Sequence, residues 1–333
     1  MAVALPRIAI ATGDPAGIGP EISLKAALDG QVCGICRPIL VGDRTAIETH
    51  ARTCGLNPNF RFIDKVADAR WSDGIVNVLE CPSLDGRLEL GVADARYGRA
   101  ALACASRAIK TALAGDVEAV VAAPQTEKSI AMAGIHFDGY PSFVARETGL
   151  AENDVFLMHC FDDMRIVHCT LHCSVREALD LITRERVARV IRATDEALQK
   201  LAAPSRRIYV SGLNPHAGED GLFGREEIEI ITPAIEDAKK EGIDVAGPFG
   251  ADTMFHKKDC GAYIVMLHDQ GHITSKLLAF ARTAGLSIGS PILFSSVAHG
   301  SAHDIAGKNL AKPAAMIEAI ARLAKVGTAK AAA

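Results

Sequence analysis

The chain has 333 residues, of which 49% are apolar, 23% charged and 5% aromatic, with a formal net charge of −4. Its length exceeds the ~250–300 residues over which a single core usually extends, which predicts two domains. Lys and Arg are scattered among acids, which argues against a nucleic-acid partner, and no apolar run approaches the ~18 residues of a membrane helix.

With so few aromatics the core must be built from Ala, Val, Ile and Leu, a composition that suits a parallel sheet covered by Ala-rich helices. The opening stretch carries Arg7 among apolar residues and runs straight into a glycine turn. It reads as a first strand, Arg7–Ala11, and not as a secretory leader. A turn over Gly13–Gly19 and a helix over Pro20–Leu28 follow, then a strand at Pro38–Val41 and a helix at Thr45–Cys54. The turn does not fit either common phosphate-loop pattern and reads as a tight structural turn.

Cys33 and Cys36 form a C-x-x-C pair with no second pair to complete a zinc site. Nine cysteines, an odd number without a leader, predict free thiols in a reducing compartment and hence a cytoplasmic protein.

From Ile63 to Arg96 the pattern is irregular, with a hairpin as one reading. A long helix then runs from Tyr97 to Leu113, and a short strand starts at Ala119. Val155–His159 and Arg165–His172 read as strands, and Val175–Leu198 as helical. Arg207–Ser211 is a strand ending in the loop Gly212–Gly218, and Glu226–Glu241 is helical. Ala262–Leu267 is a strand ending at His268-Asp-Gln-Gly271, Ala314–Ala324 is an amphipathic helix, and Gly327–Ala333 reads as a frayed tail. Alternating strands and helices predict an α/β fold with mostly parallel strands.

Three of the eleven histidines, His172, His216 and His268, stand at predicted strand ends or in Gly/Pro loops. Three imidazoles would bind a borderline divalent metal and leave positions open for substrate. Ordinary hydrogen-bonded loop histidines are the alternative. His168 and His272 flank this set as supporting, substrate-contacting or structural residues. Lys276, in an otherwise apolar segment, would neutralise a carboxylate or assist proton transfer, or else is a surface lysine. The polar, glycine-rich segment His299–Asn309 is a loop running into a helix.

Several of these motifs occur together in one known family. Gly13-Asp-Pro-Ala-Gly-Ile-Gly-Pro-Glu21, Gly212-Leu-Asn-Pro-His-Ala-Gly-Glu219, Gly250-Ala-Asp-Thr253, His268-Asp-Gln-Gly271 and His299-Gly-Ser-Ala resemble, in order, the 4-hydroxythreonine-4-phosphate dehydrogenase family. The last segment also resembles the adenosine loop of isocitrate and isopropylmalate dehydrogenases. The resemblance implies two α/β/α domains of that dehydrogenase type, with the active site in the interdomain cleft. Residues 1–135 with 294–333 would form the first domain. Residues 136–293 would form the second, with the metal ligands and a dimer interface.

By the same resemblance His172, His216 and His268 hold the metal, with His268 supplied across the interface of a homodimer. NAD is the cofactor, held by Asp252, His299, Ser301, Ala302, Asp304 and Asn309. The metal would be zinc, with cobalt, nickel, iron and magnesium as alternatives.

The chain departs from the phosphate-using members at Asp138-Gly-Tyr-Pro-Ser142, Glu127, Gly285 and Phe294. Losing polar and cationic groups while gaining Tyr and Phe disfavours a phosphate dianion and favours a planar ring. Gly139–Ser142, Arg165–His172, Leu267–Ile273 and Leu286–Gly289 resemble the terephthalate cis-dihydrodiol dehydrogenase branch. That branch implies oxidative decarboxylation of terephthalate 1,2-cis-dihydrodiol to 3,4-dihydroxybenzoate. Lys276 and Asp252 would be catalytic, and Tyr140, Pro141, Ser142, Lys276, Ser287 and Phe294 would bind substrate, with Ser290 a weaker candidate. The alternative is dehydrogenation of 4-phosphohydroxy-L-threonine or a related phosphorylated hydroxy acid. A metal-dependent hydrolase or lyase without NAD and a non-catalytic binding protein are the remaining readings.

Overall fold

A computed structural model describes residues 5–72, 74–279 and 283–330. Met1–Ala4, ahead of the expected first strand, and the last three residues of the expected tail lie outside the described residues. Contacts divide the chain into two compact units: Met1–Gly149 with Pro291–Ala333, and Leu150–Ser290.

The first unit contains β1 (Arg7–Ala11), β2 (Arg37–Gly42), β3 (Asn59–Ile63), β4 (Ile75–Glu80) and β5 (Ala119–Ala122). The second contains β6 (Phe156–Phe161), β7 (Met164–His168), β8 (Ile208–Ser211), β9 (Val245–Phe249), β10 (Ala262–Val265) and β11 (Ala284–Ile288). The chain then returns to the first unit with β12 (Phe294–Val297).

In the first unit the strand order is β3-β4-β2-β1-β5-β12, all parallel. Ile8, Ile10, Ile39, Leu40 and Val120 are fully buried, as expected where helices cover both faces of a parallel sheet. Helix starts follow local capping chemistry. The Asp29 carboxylate accepts from the Gln31 and Val32 amides, and Asp43 accepts from Thr45 and Ala46. Asp43 also accepts from the Ser83 and Leu84 amides through its second oxygen, so one buried carboxylate ties a helix start to the segment after β4.

The hairpin reading between Ile63 and Arg96 does not hold. β3 and β4 run parallel, Asn59 opposite Ile75 and Ile63 opposite Leu79, a pairing that no tight turn can close. The boundary between the units also differs from the expected one. The helix Tyr140–Thr148 belongs to the first unit, where it packs on the helix Ala95–Leu113 and Glu147 accepts from the Ser106 hydroxyl at 2.6 Å. The terminal helix runs Ala314–Lys330, past the point where the sequence predicts fraying.

The second unit has the order β11-β6-β7-β10-β8-β9. β11, β6 and β7 are antiparallel neighbours, while β7, β10, β8 and β9 run parallel. Its core includes Phe161, Ile166, Tyr209, Met254, Tyr263 and Val265. The expected helix Val175–Leu198 is two helices, Val175–Leu181 and Arg184–Lys200. Ser174 and Glu177 form a reciprocal cap on the first, and Thr183 caps the second, which accounts for the break. None of the nine cysteines is in a disulfide, and among the described residues no helix is long and apolar enough to cross a membrane.

Gly13 leaves β1 with φ +69°, and a Cβ there would overlap the Pro124 carbonyl oxygen. Gly13→Ala therefore combines left-handed strain with a backbone clash, and we expect a loss of about 2–4 kcal/mol. Chemical denaturation measures it; an unchanged midpoint would contradict the packing described for this turn.

Candidate active site

Three parallel neighbours in the second unit define one edge. β7 ends at His168, β10 at Val265 and β8 at Ser211, with β10 between the other two. The chain leaves that edge three times, toward His172, His268 and His216. The carboxyl edge of parallel strands is where open α/β sheets place ligands. His172 lies beyond the end of β7, in a loop where the sequence pattern predicts strand.

Two side chains fix the loops. Gln270 accepts from the Met266 and Leu267 amides, both at 2.9 Å, and donates to the Gly212 carbonyl at 3.2 Å, which links the His268 and His216 segments. Glu227, 3% exposed, accepts from the amides of Leu213 and Asn214 at 2.8 and 2.7 Å and from the Asn214 side chain. Burial would raise the Glu227 carboxyl, but the Asn214 side chain and these amides outweigh it and hold it below the usual range. Sequence reasoning misses Glu227, whose signal is only an acid in a helical run.

The loop itself is strained. His216, Ala217, Gly218, Glu219 and Asp220 all have positive φ, between 42° and 82°. Left-handed backbone costs non-glycine residues roughly 1–2 kcal/mol each, and such strain concentrates at functional sites.

The imidazoles fit a metal. His216 Nδ1 lies 3.3 Å from Glu219 and His268 Nδ1 lies 2.6 Å from Asp269. A carboxylate on Nδ1 fixes the tautomer and leaves Nε2 as the ligand atom. The His172 and His268 ring centres are 5.8 Å apart. Among the described residues, the ligand atoms of His172, His216 and His268 do not gather within 4.8 Å in a single chain. Exposed apolar side chains flank two of them: Ile273, Leu277 (80%) and Leu278 on the helix His268–Ala279, and Leu222 (73%), Phe223 and Ile228 beyond His216.

A different trio does gather. One ring nitrogen from each of His159, His168 and His272 lies within 4.8 Å of the others. Burial lowers all three, His159 to about 3 and His272 to about 4, with neighbouring histidines adding to the effect. The sequence singles out His168 and His272 but gives no signal for His159, inside β6.

The remaining candidates divide between the units. In the second, Lys276 is exposed and stands about two turns beyond His268 on the same helix. Asp252 is exposed close to Gly250, where a Cβ would lie 4.0 Å from the His216 α-carbon. Ser287 and Ser290 are 5% and 3% exposed, which leaves little surface for a ligand.

In the first unit, the Ile18 amide donates to the Ser301 carbonyl at 2.9 Å, and a Cβ at Gly17 would run into Ser301. His303 Nε2 is 2.8 Å from the buried Asp14 carboxylate, which also accepts from Thr126. A cavity of about 550 Å³ opens here, lined by Ile18, His299, Gly300, Ala302, Ile305 and Leu310. Ser301 Oγ is buried without a hydrogen-bond partner. Asp304 and Asn309 are exposed, Asn309 with φ +60°.

Tyr140 packs on Phe294 with ring centres 4.9 Å apart and donates its hydroxyl to the Ala123 carbonyl at 3.1 Å. Phe294, expected to contact substrate, is 1% exposed and instead supports the Tyr140 ring. Pro141 is buried in the first turn of its helix, and the Ser142 hydroxyl donates to Asp138 at 2.7 Å.

The largely parallel sheets and the strand-end loops define an α/β fold with its candidate site at the carboxyl edge of the strands. A solved β-decarboxylating dehydrogenase from Thermococcus kodakarensis, 18% identical with a TM-score of 0.50 over 95% of this chain and 82% of its own, shares the fold alone. The chain belongs to the family described as pyridoxal phosphate biosynthetic protein PdxA, whose model matches residues 34–323.

A curated relative from Symbiobacterium thermophilum, named a putative D-threonate 4-phosphate dehydrogenase, is 39% identical over 97% of both chains. The solved 4-hydroxythreonine-4-phosphate dehydrogenase from Klebsiella pneumoniae is 34% identical, with a TM-score of 0.86, covering 97% of this chain and 99% of its own. A solved terephthalate 1,2-cis-dihydrodiol dehydrogenase from Burkholderia xenovorans is 41% identical over 97% and 98%, with a TM-score of 0.73. The protein is therefore an oxidoreductase, a dehydrogenase of a family that uses NAD(P) and a divalent metal, which sets aside the hydrolase and the non-catalytic readings.

Glu227→Ala should release the His216 loop. We expect metal affinity to fall about 10–100-fold, read by titrating metal into chelator-stripped protein; wild-type affinity in a folded variant would contradict the role of Glu227.

Proposed function

We propose that the chain is a metal-dependent, NAD-linked dehydrogenase that oxidises a secondary alcohol of a phosphorylated hydroxy acid. The names of its relatives support that substrate class. The observation that carries the reading is the departure of His172, His268 and His216 from three adjacent parallel strand ends. A divalent metal held by them would acidify the alcohol and polarise its oxygen. Three imidazoles favour zinc, cobalt, nickel or iron over magnesium.

The chain's own groups supply the rest. Lys276, on the helix that His268 opens, would pair with a substrate carboxylate or phosphate. The loop His299–Asn309 would take the adenosine half of NAD in the cavity lined by Ile18, His299, Ala302, Ile305 and Leu310. Asp14 and Thr126 hold that loop through His303. Asp252, exposed beside the His216 loop, is the candidate for the remaining cofactor contact. A second copy of the chain covering Leu277 and Leu222 would bury the apolar surface beside His268 and His216 and complete the ligand set, which supports a homodimer.

A second reading keeps its own support. Tyr140, backed by the buried Phe294, would offer a planar ring a flat apolar partner, in place of the polar groups that the resemblance assigns to phosphate-using members. The relative at 41% identity acts on terephthalate 1,2-cis-dihydrodiol by name. Oxidation of that diol by NAD, with loss of carbon dioxide, yields 3,4-dihydroxybenzoate. Sequence motifs favour this reading; the weight of the relatives reverses the order.

Purified protein with NAD and metal is offered D-threonate 4-phosphate, 4-phosphohydroxy-L-threonine and the dihydrodiol, and NADH is followed. We expect the preferred class to lead by at least about 100-fold in kcat/KM, ~2.7 kcal/mol. Preference for the dihydrodiol installs the second reading, and inertness to all three overturns both. Separately, His216→Ala should abolish turnover and lower the bound metal by one equivalent per chain; a fully active variant contradicts the mechanism.

A further inference from the structure

We propose that His159, His168 and His272 form a second cation site, separate from His172, His216 and His268, that takes a borderline divalent ion such as Zn²⁺ or Co²⁺.

The hydrogen bonds fix all three tautomers. His168 Nδ1 donates to the Leu157 carbonyl at 3.2 Å, and His272 Nδ1 donates to the His268 carbonyl at 3.2 Å. His159 Nδ1 is 2.9 Å from Ser275 Oγ, whose own hydrogen is directed to the His272 carbonyl at 3.1 Å. The serine oxygen is therefore an acceptor, and His159 Nδ1 is the donor. Each ring is left with a lone pair on Nε2. Metal-binding imidazoles are held in just this way, with one nitrogen donating to protein and the other free for the ion.

The three rings converge. Their centres are 5.0 Å apart for His159 and His168, 4.3 Å for His159 and His272, and 4.6 Å for His168 and His272. One nitrogen from each lies within 4.8 Å of the other two. His168 is 1% exposed, and its Nε2 is buried with no hydrogen-bond partner. An unpaired buried acceptor is unfavourable, and an ion would satisfy it.

The surroundings are built to admit the cluster. Gly271 has no side chain, and a Cβ there would run into His168 Nε2. Residue 271 thus has to be glycine for the helix His268–Ala279 to bring His272 against the buried ring. His268 stacks flat on His272 with centres 3.7 Å apart, so it adjoins this cluster face-on, while its Nδ1 is engaged by Asp269. The two sites would be neighbours with separate ligands. Three neutral imidazoles without a carboxylate exclude calcium and magnesium by ligand type.

The test separates this site from the catalytic one by removing the latter. Full-length protein carrying His172→Ala and His216→Ala is stripped with chelator and titrated with Co²⁺, followed by visible absorption and by metal analysis after desalting. We expect about one equivalent per chain, with the ligand-field bands of nitrogen coordination. Adding His272→Gln or His159→Gln to that background should weaken binding at least about tenfold. Circular dichroism and a metal-free melting curve check that each variant is folded. Absence of Co²⁺ binding in the folded double variant overturns the proposal. So does binding that is unchanged when both His159 and His272 are replaced. The result is independent of which substrate the enzyme oxidises.

Discussion

Parallel pairing of β7, β10 and β8 is the constraint on which the candidate site depends. Parallel strands must all end on the same edge, and β10 sits between the other two. Histidines so distant in sequence could not otherwise share a neighbourhood; here each is placed by the length of a short exit segment. A one-residue change in strand pairing would turn these segments to the opposite face. Apolar burial keeps the sheet in register: Ile166, Val167, Val210, Ile264 and Val265 are all fully buried. The energetics of the core and the chemistry of the edge are therefore one problem.

Much of this is legible in sequence because strand ends coincide with abrupt changes of composition. Ala262–Val265 is uniformly apolar and the apolar run stops at His268-Asp-Gln, while Ile208–Ser211 stops at a Gly, Asn and Pro loop. β3 and β4 are not legible. Asn59-Phe-Arg-Phe-Ile63 is an edge strand only partly buried, and its alternation runs for only four residues, too short to stand out from the irregular segment around it. The boundary between the units is hard to place because the helix Tyr140–Thr148 is held by the Tyr140–Phe294 packing and by Glu147 on Ser106, contacts made across long stretches of sequence. His159 escapes notice for a similar reason. Its significance depends on antiparallel pairing of β6 with β7, which places it opposite Ile166 and near His168.

The two substrate readings meet at one physical contrast. A phosphate dianion needs cations and fixed donors, whereas an aromatic precursor needs a flat apolar wall. Around Tyr140 the hydroxyls are already committed: Tyr140 to Ala123, Ser142 to Asp138. Burial pushes the Tyr140 phenol up as well, so it offers no charge to either ligand. Recognition of a dianion would thus fall on Lys276 and on groups outside this corner, while recognition of a ring could use the corner as it stands.

The left-handed run from His216 to Asp220 carries a lesson for design. The segment Gly212-Leu-Asn-Pro-His216 looks portable, a short string with a metal-binding residue at its end. Its shape, however, is imposed from elsewhere, by Glu227 gripping the amides beneath and by Gln270 reaching across from the helix His268–Ala279. Grafted onto a foreign scaffold without those two anchors, the same letters would relax into ordinary right-handed backbone, and the imidazole would point somewhere else.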